Sequence, residues 1–380
     1  MIQEIKKQFK THFEGEPLVV RSPGRVNIIG EHTDYNEGFV LPAAVDKAVW
    51  VAVAKRNDGQ IGLFSVSYQE KVELALTDIQ PSKNWPTYVL GVVDQLLKRG
   101  YAIGGFNLVL DGDVPIGAGL SSSAAVECAV VFALNELFGL GISKLEMVQI
   151  AQKAEHTYSG VLCGIMDMFA SMFGKKDQVI RLDCRSLDYA YEPLQLDGYK
   201  LVLFNTNVKH SLASSAYNTR RQECEQGVAW VKAECPEVNS LRDVSMAMLD
   251  THVAPKDALV YKRCRYVVDE ISRLQAACSD LEQGDLSALG QKLYQTHQGL
   301  SSAYEVSCKE LDFLVEAVKS ESGVLGARMM GGGFGGCTIN IVQDQAIANL
   351  SERLAEAYRK QMGLDLSAYI VTTSNGTELI

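Results

Sequence analysis

Residues 24–35 place charged and hydroxyl-bearing side chains in one short stretch that follows an apolar run. Its polar members are Arg25, Asn27, Glu31, His32, Thr33, Asp34 and Tyr35. Carboxylates, an imidazole and hydroxyls hydrogen-bond neighbouring hydroxyl groups, so the cluster suits recognition of a polyol such as a sugar. A metal site is a weaker interpretation, because a single histidine at this spacing matches no metal-binding motif. A solvated loop is also weaker, because apolar residues alternate with the charges and buried charges need partners.

A second candidate is the lone acid Asp167, which stands between two methionines shortly after Gly164. A carboxylate with apolar neighbours is typical of a catalytic group held in a dry site. An aspartate that caps a helix produces the same local pattern, and the spacing leaves both interpretations open.

Residues 114–125 form a glycine- and serine-rich segment before an apolar helix predicted for residues 121–138. Glycine lets the backbone turn tightly and approach a ligand, and a helix start offers unpaired N–H groups that bind phosphate. A helix capped by serine after a glycine turn is equally compatible with the pattern. No Gly-Lys-Ser/Thr ends the segment, which excludes a Walker A loop.

A second glycine-rich segment, residues 326–337, contains five glycines in the six positions 331–336. Gly331, Gly333 and Gly336 match the spacing of a dinucleotide-binding loop, but a predicted strand follows where that fold requires a helix. We therefore reject the dinucleotide interpretation. A loop whose backbone lies close to a ligand explains so many glycines better than a simple hairpin does.

Alternating and 3.6-residue apolar patterns predict the elements that position these segments. Helices are predicted for residues 1–14, 121–138, 212–234, 258–281, 286–304 and 346–360. Strands are predicted for residues 18–21, 48–54, 106–110, 179–183, 201–204, 324–330, 338–342 and 368–373. The pattern indicates an α+β protein with domains at residues 1–195 and 196–380 that meet at a cleft; the family resemblance described below implies that the active site lies in this cleft.

The bulk composition limits the function classes. A chain of 380 residues has room for about two domains, and its net charge of −10 argues against a nucleic-acid partner. No apolar run approaches the ~20 residues of a membrane span, and the N-terminus lacks a signal-peptide core. The nine cysteines are scattered without a Cys-x-x-Cys pair, which predicts reduced thiols in the cytoplasm. No protein partner is implied.

Taken together, these segments resemble the galactokinases, a branch of the galactokinase, homoserine kinase, mevalonate kinase and phosphomevalonate kinase superfamily. The resemblance covers essentially the whole chain in order. Residues 24–35 look like the galactokinase signature, residues 115–125 like the superfamily phosphate loop, and residues 331–336 like its third motif. The Asn-Thr-Arg-Arg run after Tyr217 is also galactokinase-like. Met168 departs from the pattern, because galactokinases usually carry glutamine there, and this affects the expected hydrogen bonding around Asp167.

The resemblance implies phosphorylation of the anomeric hydroxyl of galactose by ATP with Mg²⁺. It makes Asp167 the catalytic carboxylate and Arg25 its partner. The implied galactose contacts are Glu31, His32, Thr33, Asp34, Gly164 and Tyr217. The implied nucleotide contacts are Gly117, Ala118, Gly119, Leu120, Ser121, Ser122, Ser123, Trp85, Tyr88, Gly333 and Gly335. Ser123 and Glu155 match the magnesium positions. For Trp85 and Tyr88, an ordinary place in the core is the competing interpretation.

Two alternatives from other classes remain at this level. An N-acetylgalactosamine kinase would need room for an acetamido group beside the second carbon of the sugar. A non-catalytic galactose and ATP sensor would use the same scaffold without turnover. The intact phosphate loop, Arg25 and Asp167 favour catalysis over the sensor.

Overall fold

The computed structural model describes residues 1–82, 84–115, 117–208 and 213–380. Two sequence predictions therefore fall partly outside the described residues, namely Ile116 in the phosphate loop and Leu212 at the start of a predicted helix.

The first half of the chain alternates strands and helices. Its elements are α1 (Ile2–His12), β1 (Leu18–Asn27), β2 (Phe39–Val40), β3 (Pro42–Lys55), β4 (Gln60–Ser65), β5 (Glu70–Ala75), α2 (Pro86–Lys98), β6 (Phe106–Gly112), α3 (Ser122–Phe138), α4 (Lys144–Ala154), α5 (Met166–Phe173), β7 (Gln178–Asp183) and β8 (Tyr189–Pro193).

The second half is richer in helix, as its 3.6-residue patterns predicted. Its elements are β9 (Tyr199–Asn205), α6 (Ala213–Lys232), α7 (Met246–His252), α8 (Ala258–Glu282), α9 (Leu286–Ser302), α10 (Lys309–Lys319), β10 (Val324–Met329), β11 (Cys337–Gln343), α11 (Ile347–Met362), β12 (Ser367–Val371) and β13 (Glu378–Leu379). The α+β class predicted from the sequence is confirmed.

Three sheets organise these elements. The largest has the order β13-β1-β3-β6-β4-β5, a second has the order β10-β11-β9-β12, and a third the order β2-β7-β8. Helix α3 packs on β1 and β3 and is buried almost all round, because its residues are small and apolar on every face. This contact places the start of α3 beside the end of β1, and with it the glycine- and serine-rich loop.

The β10–β11 hairpin carries the second glycine loop, and Arg328 of β10 donates to the backbone carbonyl of Asn27 at the end of β1. Helix α9 packs closely on β10, since the glycines Gly290 and Gly326 lie against each other's backbone. One apolar core cluster includes Leu41 of the first half together with Leu203 and Ile339 of the second sheet. The last strand, β13, returns to pair with β1. The division at residue 195 stays a prediction.

Among the described residues, no helix combines the length and the apolar character that crossing a membrane requires.

Candidate active site

Arg25 and Asp167, which are 142 positions apart in sequence, form a two-pronged ion pair. The guanidinium donates from Nε to Asp167 Oδ1 at 2.6 Å and from Nη2 to Oδ2 at 2.7 Å. Burial alone would lower the pKa of Arg25, but the charge of Asp167 and its hydrogen bonds raise the pKa overall. This planar geometry fixes the orientation of the carboxylate. Asp167 lies in the first turn of α5 but is not its cap, since Ile165 holds that position.

The phosphate loop contacts the same ion pair. Ser121 donates its hydroxyl proton to Asp167 Oδ2 at 2.7 Å, and Arg25 Nη1 donates to the carbonyl oxygen of Gly119. Ser121 precedes α3 with a φ of 58° and its side chain makes no capping hydrogen bond. The simple capped-helix interpretation therefore does not describe this serine, whose hydroxyl is directed to the acid instead.

The glycines of the loop have the backbone conformations that the sequence led us to expect. Gly117 and Gly119 both have positive φ, at 75° and 76°. The second glycine loop packs directly against this turn, because a Cβ on Gly336 would lie 3.5 Å from the carbonyl oxygen of Gly117. The two glycine-rich loops thus meet in space, although more than half the chain separates them in sequence.

A cavity of about 660 Å³, including space open to solvent, lies beside the ion pair. Its lining contains most of the residues predicted to bind sugar or metal: Arg25, Glu31, His32, Asp34, Ser121, Ser123, Glu155, Val161, Cys163, Met166, Asp167, Met168, Tyr217, Gly331 and Gly332. Eight of the residues that line it carry titratable groups. The cavity therefore offers many hydrogen-bonding groups, which suits a polyol such as a sugar.

Asp34 lies in this cavity on a short 3₁₀ turn, Asp34–Asn36. Burial raises the pKa of Asp34 to about 7, and the negative charges of Asp167 and Glu31 add to the effect. Gly164 packs against the carboxylate so closely that a Cβ there would overlap its Oδ2 atom. Only glycine at position 164 therefore leaves room for the Asp34 carboxylate beside the cavity.

His32 is held in a left-handed conformation with a φ of 64°. Burial lowers the pKa of its imidazole to about 3, and the positive charges of Arg220 and Arg328 act in the same direction. The ring is therefore neutral at physiological pH. Tyr217 lies beside it, with ring centroids 5.3 Å apart.

Residues 24–35 are called the sugar loop below, after their predicted role. Glu31 connects this loop to the second glycine loop. Its Oε1 atom accepts hydrogen bonds from Arg328 Nη1 at 3.0 Å and from the backbone N–H of Gly331 at 2.8 Å. Arg328 is fully buried and also donates to the carbonyl oxygens of Asn27, Ile28 and Met329. One carboxylate oxygen of Glu31 thus holds the scaffold, and the other is free to meet a ligand.

Among the predicted site residues, Gly117, Ala118, Gly119, Leu120 and Gly164 line neither of the two cavities described here, and three others, Thr33, Gly333 and Gly335, pack against backbone carbonyl groups. The hydroxyl of Thr33 donates to the carbonyl oxygens of Gly30 and Phe39, and Thr33 does not line the cavity. Gly333 packs on the Val306 carbonyl and Gly335 on the Val208 carbonyl, and neither lines the two cavities described here. A role for these three in ligand binding stays a prediction, whereas their close packing accounts for the residue types.

A second cavity of similar size lies on the other side of the phosphate loop. Trp85, Tyr88, Ser122 and Ser123 line it, together with apolar residues of β3, β6 and α3. Trp85 also belongs to the apolar core and donates its indole N–H to Glu70 at 2.9 Å. An aromatic, largely apolar pocket of this kind suits a flat base such as adenine. Ser123 lines both cavities and therefore lies where they meet.

Two buried glutamates stand beside Ser123. Glu155 begins a π-helical turn after α4, and its Oε2 atom receives no hydrogen bond from the described residues. The same holds for both carboxylate oxygens of Glu127, one helical turn after Ser123. Burial raises the pKa of both glutamates. The described residues contain no group of three or more metal-ligand side chains. A serine hydroxyl and one carboxylate are nevertheless enough for Mg²⁺, which retains several waters.

Sequence reasoning missed two residues that position the site. Arg328 holds Glu31, and Glu270 of α8, which is also fully buried, accepts a hydrogen bond from the backbone N–H of Gly30 at 3.0 Å. Arg328 lies within the second glycine-rich segment, residues 326–337, where no role was predicted for it, and Glu270 belongs to no motif. The only sequence signal is a charged residue inside an apolar pattern, which indicates a buried partner but not which one.

Comparison with known proteins places this geometry in a family. Three family models match the chain: the galactokinase galactose-binding signature at residues 7–55, the N-terminal domain of GHMP kinases at residues 87–175 and the GHMP kinase C-terminal domain at residues 277–360. A galactokinase of Thermotoga maritima is 42% identical over 96% of this chain and its own full length. A galactokinase of Clostridium acetobutylicum is 40% identical over the whole chain and 98% of its own length.

Solved structures agree. The crystal structure of Lactococcus lactis galactokinase complexed with galactose superposes with a TM-score of 0.95 at 34% identity, over all of both chains. The mevalonate kinase of Methanococcus jannaschii shares the fold, with a TM-score of 0.63 at 16% identity over 95% of this chain and all of that one. On the strength of the full-length relatives and the site that the structure assembles, this chain belongs to the galactokinase family.

Proposed function

We propose that this enzyme transfers the γ-phosphoryl group of ATP to the anomeric hydroxyl of D-galactose, giving galactose 1-phosphate and ADP. The observation that carries the proposal is the Arg25–Asp167 pair, which lies in the polar cavity and touches the phosphate loop. A sugar in that cavity and a nucleotide in the aromatic pocket would meet at Ser123. Full-length galactokinase relatives and the similarity to a galactose-bound galactokinase support the same reaction.

In this proposal, Asp167 accepts the proton of the anomeric hydroxyl. A carboxylate is a weak base, so it orients the hydroxyl and takes the proton late, as the new P–O bond forms and the bond to the ADP oxygen breaks. Arg25 holds the carboxylate in place and neutralises charge on the transferring group. Because Arg25 fixes the orientation of the carboxylate, little reorganisation is needed when the substrates bind.

We assign the magnesium position to Ser123 and Glu155. The unpartnered buried oxygen of Glu155 fits a cation, and Ser123 lies between the two cavities. When bound there with ATP, Mg²⁺ would supply charge neutralisation at the phosphates. The proposal includes a reducing, cytoplasmic location, because all nine cysteines are unpaired. Alkylation of freshly lysed cells followed by mass spectrometry would test this, and stable disulfides would contradict it.

Sugar recognition is assigned to the wall formed by Glu31, His32, Asp34 and Tyr217. Galactose and glucose differ at one hydroxyl, and a site that hydrogen-bonds a hydroxyl in one orientation rejects a misplaced one strongly. We therefore expect ADP release with galactose and little with glucose or N-acetylgalactosamine.

The test is a coupled ADP-release assay with those three sugars, with Asp167→Asn as the inactive control. Equal kcat/KM for galactose and glucose would refute the assignment. A preference for N-acetylgalactosamine would replace galactose by that sugar. Binding of galactose and ATP without turnover would make the protein a sensor.

A further inference from the structure

Residues 160–164 form an irregular loop beside the polar cavity that we propose binds galactose, called the sugar cavity below. The loop lies between the π-helical turn after α4 and the start of α5. Val161 and Cys163 line the cavity, and Gly164 packs against the carboxylate of Asp34. Because the loop is irregular, its position depends on the side chains that bind its backbone.

Asn218 of α6 binds the backbone of this loop at two points. Its Oδ1 atom accepts from the backbone N–H of Leu162 at 3.1 Å, and its Nδ2 atom donates to the carbonyl oxygen of Gly160 at 3.0 Å. An amide side chain has one accepting and one donating end, so only this orientation satisfies both backbone groups. The side chain thus pairs with the loop much as a neighbouring strand would.

Arg221, three residues further along α6, adds another hydrogen bond. Its Nη1 atom donates to the carbonyl oxygen of Leu162 at 2.9 Å, and its Nε atom donates to Glu225 at 2.9 Å. Residues three apart lie on the same side of a helix, so Asn218 and Arg221 reach the loop together. We call these two side chains the α6 clamp. Both belong to the Asn-Thr-Arg-Arg run, whose role the sequence left open.

The start of α6 also contributes to the cavity directly. Tyr217, the residue before Asn218, lines the sugar cavity. One end of α6 in the second half of the chain therefore supplies a cavity residue and holds the loop that supplies others. The clamp thus fixes the position of residues 160–164 relative to Tyr217.

The first half of the chain holds the loop at its other end. Gln152 of α4 donates to the carbonyl oxygen of Cys163 at 3.2 Å, and His156 Nε2 lies 2.7 Å from the same oxygen. Loss of the clamp should therefore loosen one side of the loop without detaching its other end.

We propose that Asn218 and Arg221 are positioning residues that set the affinity for galactose by holding residues 160–164 in place before the sugar binds. The inference rests on the proposed function and deepens it. A loop that is already ordered need not be ordered by the ligand, so the cost of ordering is not subtracted from the binding free energy. Other side chains hold Asp167, so the clamp should act on binding rather than on phosphoryl transfer.

Three variants test the clamp in steps. Asn218→Leu keeps the approximate size of the side chain but removes both of its hydrogen bonds, and the galactose KM should rise roughly tenfold. Arg221→Met removes one hydrogen bond to the loop and should raise the KM roughly threefold. Arg221→Lys can still donate to the Leu162 carbonyl and should restore most of the affinity. In all three, kcat should be largely retained.

The separation of KM from kcat distinguishes positioning from a general loss of stability. A variant that is only less stable has fewer folded molecules, which lowers the apparent kcat and leaves the KM of the folded fraction unchanged. An unchanged galactose KM in Asn218→Leu would therefore overturn the proposal, whatever the change in its Tm.

Hydrogen–deuterium exchange tests the clamp without turnover. The peptide that contains residues 160–164 should exchange faster in Asn218→Leu than in the wild type, because the Leu162 N–H loses its acceptor. A wild-type protein that did not phosphorylate galactose would refute the proposed function. The clamp is then judged by the exchange, and an unchanged rate in Asn218→Leu would overturn it.

Thr219→Ala is the matched control. Thr219 lies between the two clamp residues in sequence, but its hydroxyl donates to the carbonyl oxygen of Ser215 within α6 at 3.0 Å. Its loss should change neither the exchange of residues 160–164 nor the galactose KM. Changes equal to those of Asn218→Leu would show that any substitution in this turn has the same effect and would overturn the clamp.

Discussion

Asp34 combines a proposed role in sugar binding with a cost to the stability of the fold, and Asp34→Asn separates the two. Burial, followed by the charges of Asp167 and Glu31, raises the pKa of this carboxyl from 3.8 to about 7. Asparagine has nearly the same shape but no charge. We therefore expect the variant to be more stable than the wild type at alkaline pH and to bind galactose poorly.

The sign follows from linkage between protonation and folding. A carboxyl whose pKa is higher in the folded state contributes stability that is fully present below pH 3.8. That contribution falls as the pH rises and is lost once the pH passes about 7. With about 1.4 kcal/mol for each pKa unit, the wild type should lose about 2–3 kcal/mol relative to the variant between pH 5 and pH 8. For a chain of this length that corresponds to roughly 3 °C in Tm.

The assay is a melting experiment at pH 5 and pH 8, with and without galactose. The Tm of Asp34→Asn, relative to the Tm of the wild type, should be higher at pH 8 than at pH 5. Galactose should raise the Tm of the wild type only. The exposed Asp78 provides the control, because Asp78→Asn should not change with pH relative to the wild type. A difference for Asp34→Asn that is the same at both pH values would refute the burial argument.

Three further predictions concern the same cavity. Arg25→Lys and Asp167→Asn should each lower kcat by orders of magnitude, and the double variant should be little worse than the worse single one, because residues that act as a unit are not additive; losses that multiply would contradict the pairing. Ser123→Ala and Glu155→Gln should raise the Mg²⁺ concentration needed for half-maximal kcat without changing galactose binding in the absence of nucleotide, and a variant with wild-type metal dependence would remove that residue from the assignment. Gly164→Ala should raise the galactose KM roughly tenfold, since its methyl group displaces the Asp34 carboxylate and weakens a charged hydrogen bond; a wild-type KM would show that Asp34 does not bind the sugar.

The elements with strong periodic patterns were predictable from the sequence. The helices α8 and α9 begin at the predicted residues, and the strand before the glycine loop and the strand after it lie where expected. Several helices were not predicted, among them α2, α4 and α10, although Leu311, Leu314, Val315 and Val318 of α10 have helical spacing. Helix α2 begins at Pro86 beside Trp85, a context that favours a turn as much as a helix start.

The site was predictable where its residues are neighbours in sequence. His32 and Asp34 lie in one polar stretch, and both line the cavity. The pairing of Arg25 with Asp167 could not be derived from spacing, because it depends on α3 and α5 packing beside β1. Only the resemblance to a family indicated it.

Thr33 shows why position within a motif does not fix a role. Thr33 lies in sequence between two residues that line the cavity, and this position favours a ligand contact. Its hydroxyl nevertheless donates to two backbone carbonyls. The turn that presents His32 and Asp34 has buried carbonyl groups, and a buried carbonyl without a donor is costly. A hydroxyl at this position satisfies them, so Thr33 shapes the loop that its neighbours use.

Arg328 extends the same reasoning to the whole cavity. A fully buried guanidinium needs a hydrogen-bond acceptor for each of its N–H groups. This one donates to the backbone carbonyls of Asn27, Ile28 and Met329 and to the carboxylate of Glu31. The sugar loop and the second glycine loop are therefore fixed relative to each other by one side chain. Because Gly331 also donates to Glu31, any shift of the glycine loop would move a carboxylate that we propose binds the sugar. A single buried arginine, whose role the sequence did not indicate, thus couples the position of the second glycine loop to the geometry of the cavity proposed to bind sugar.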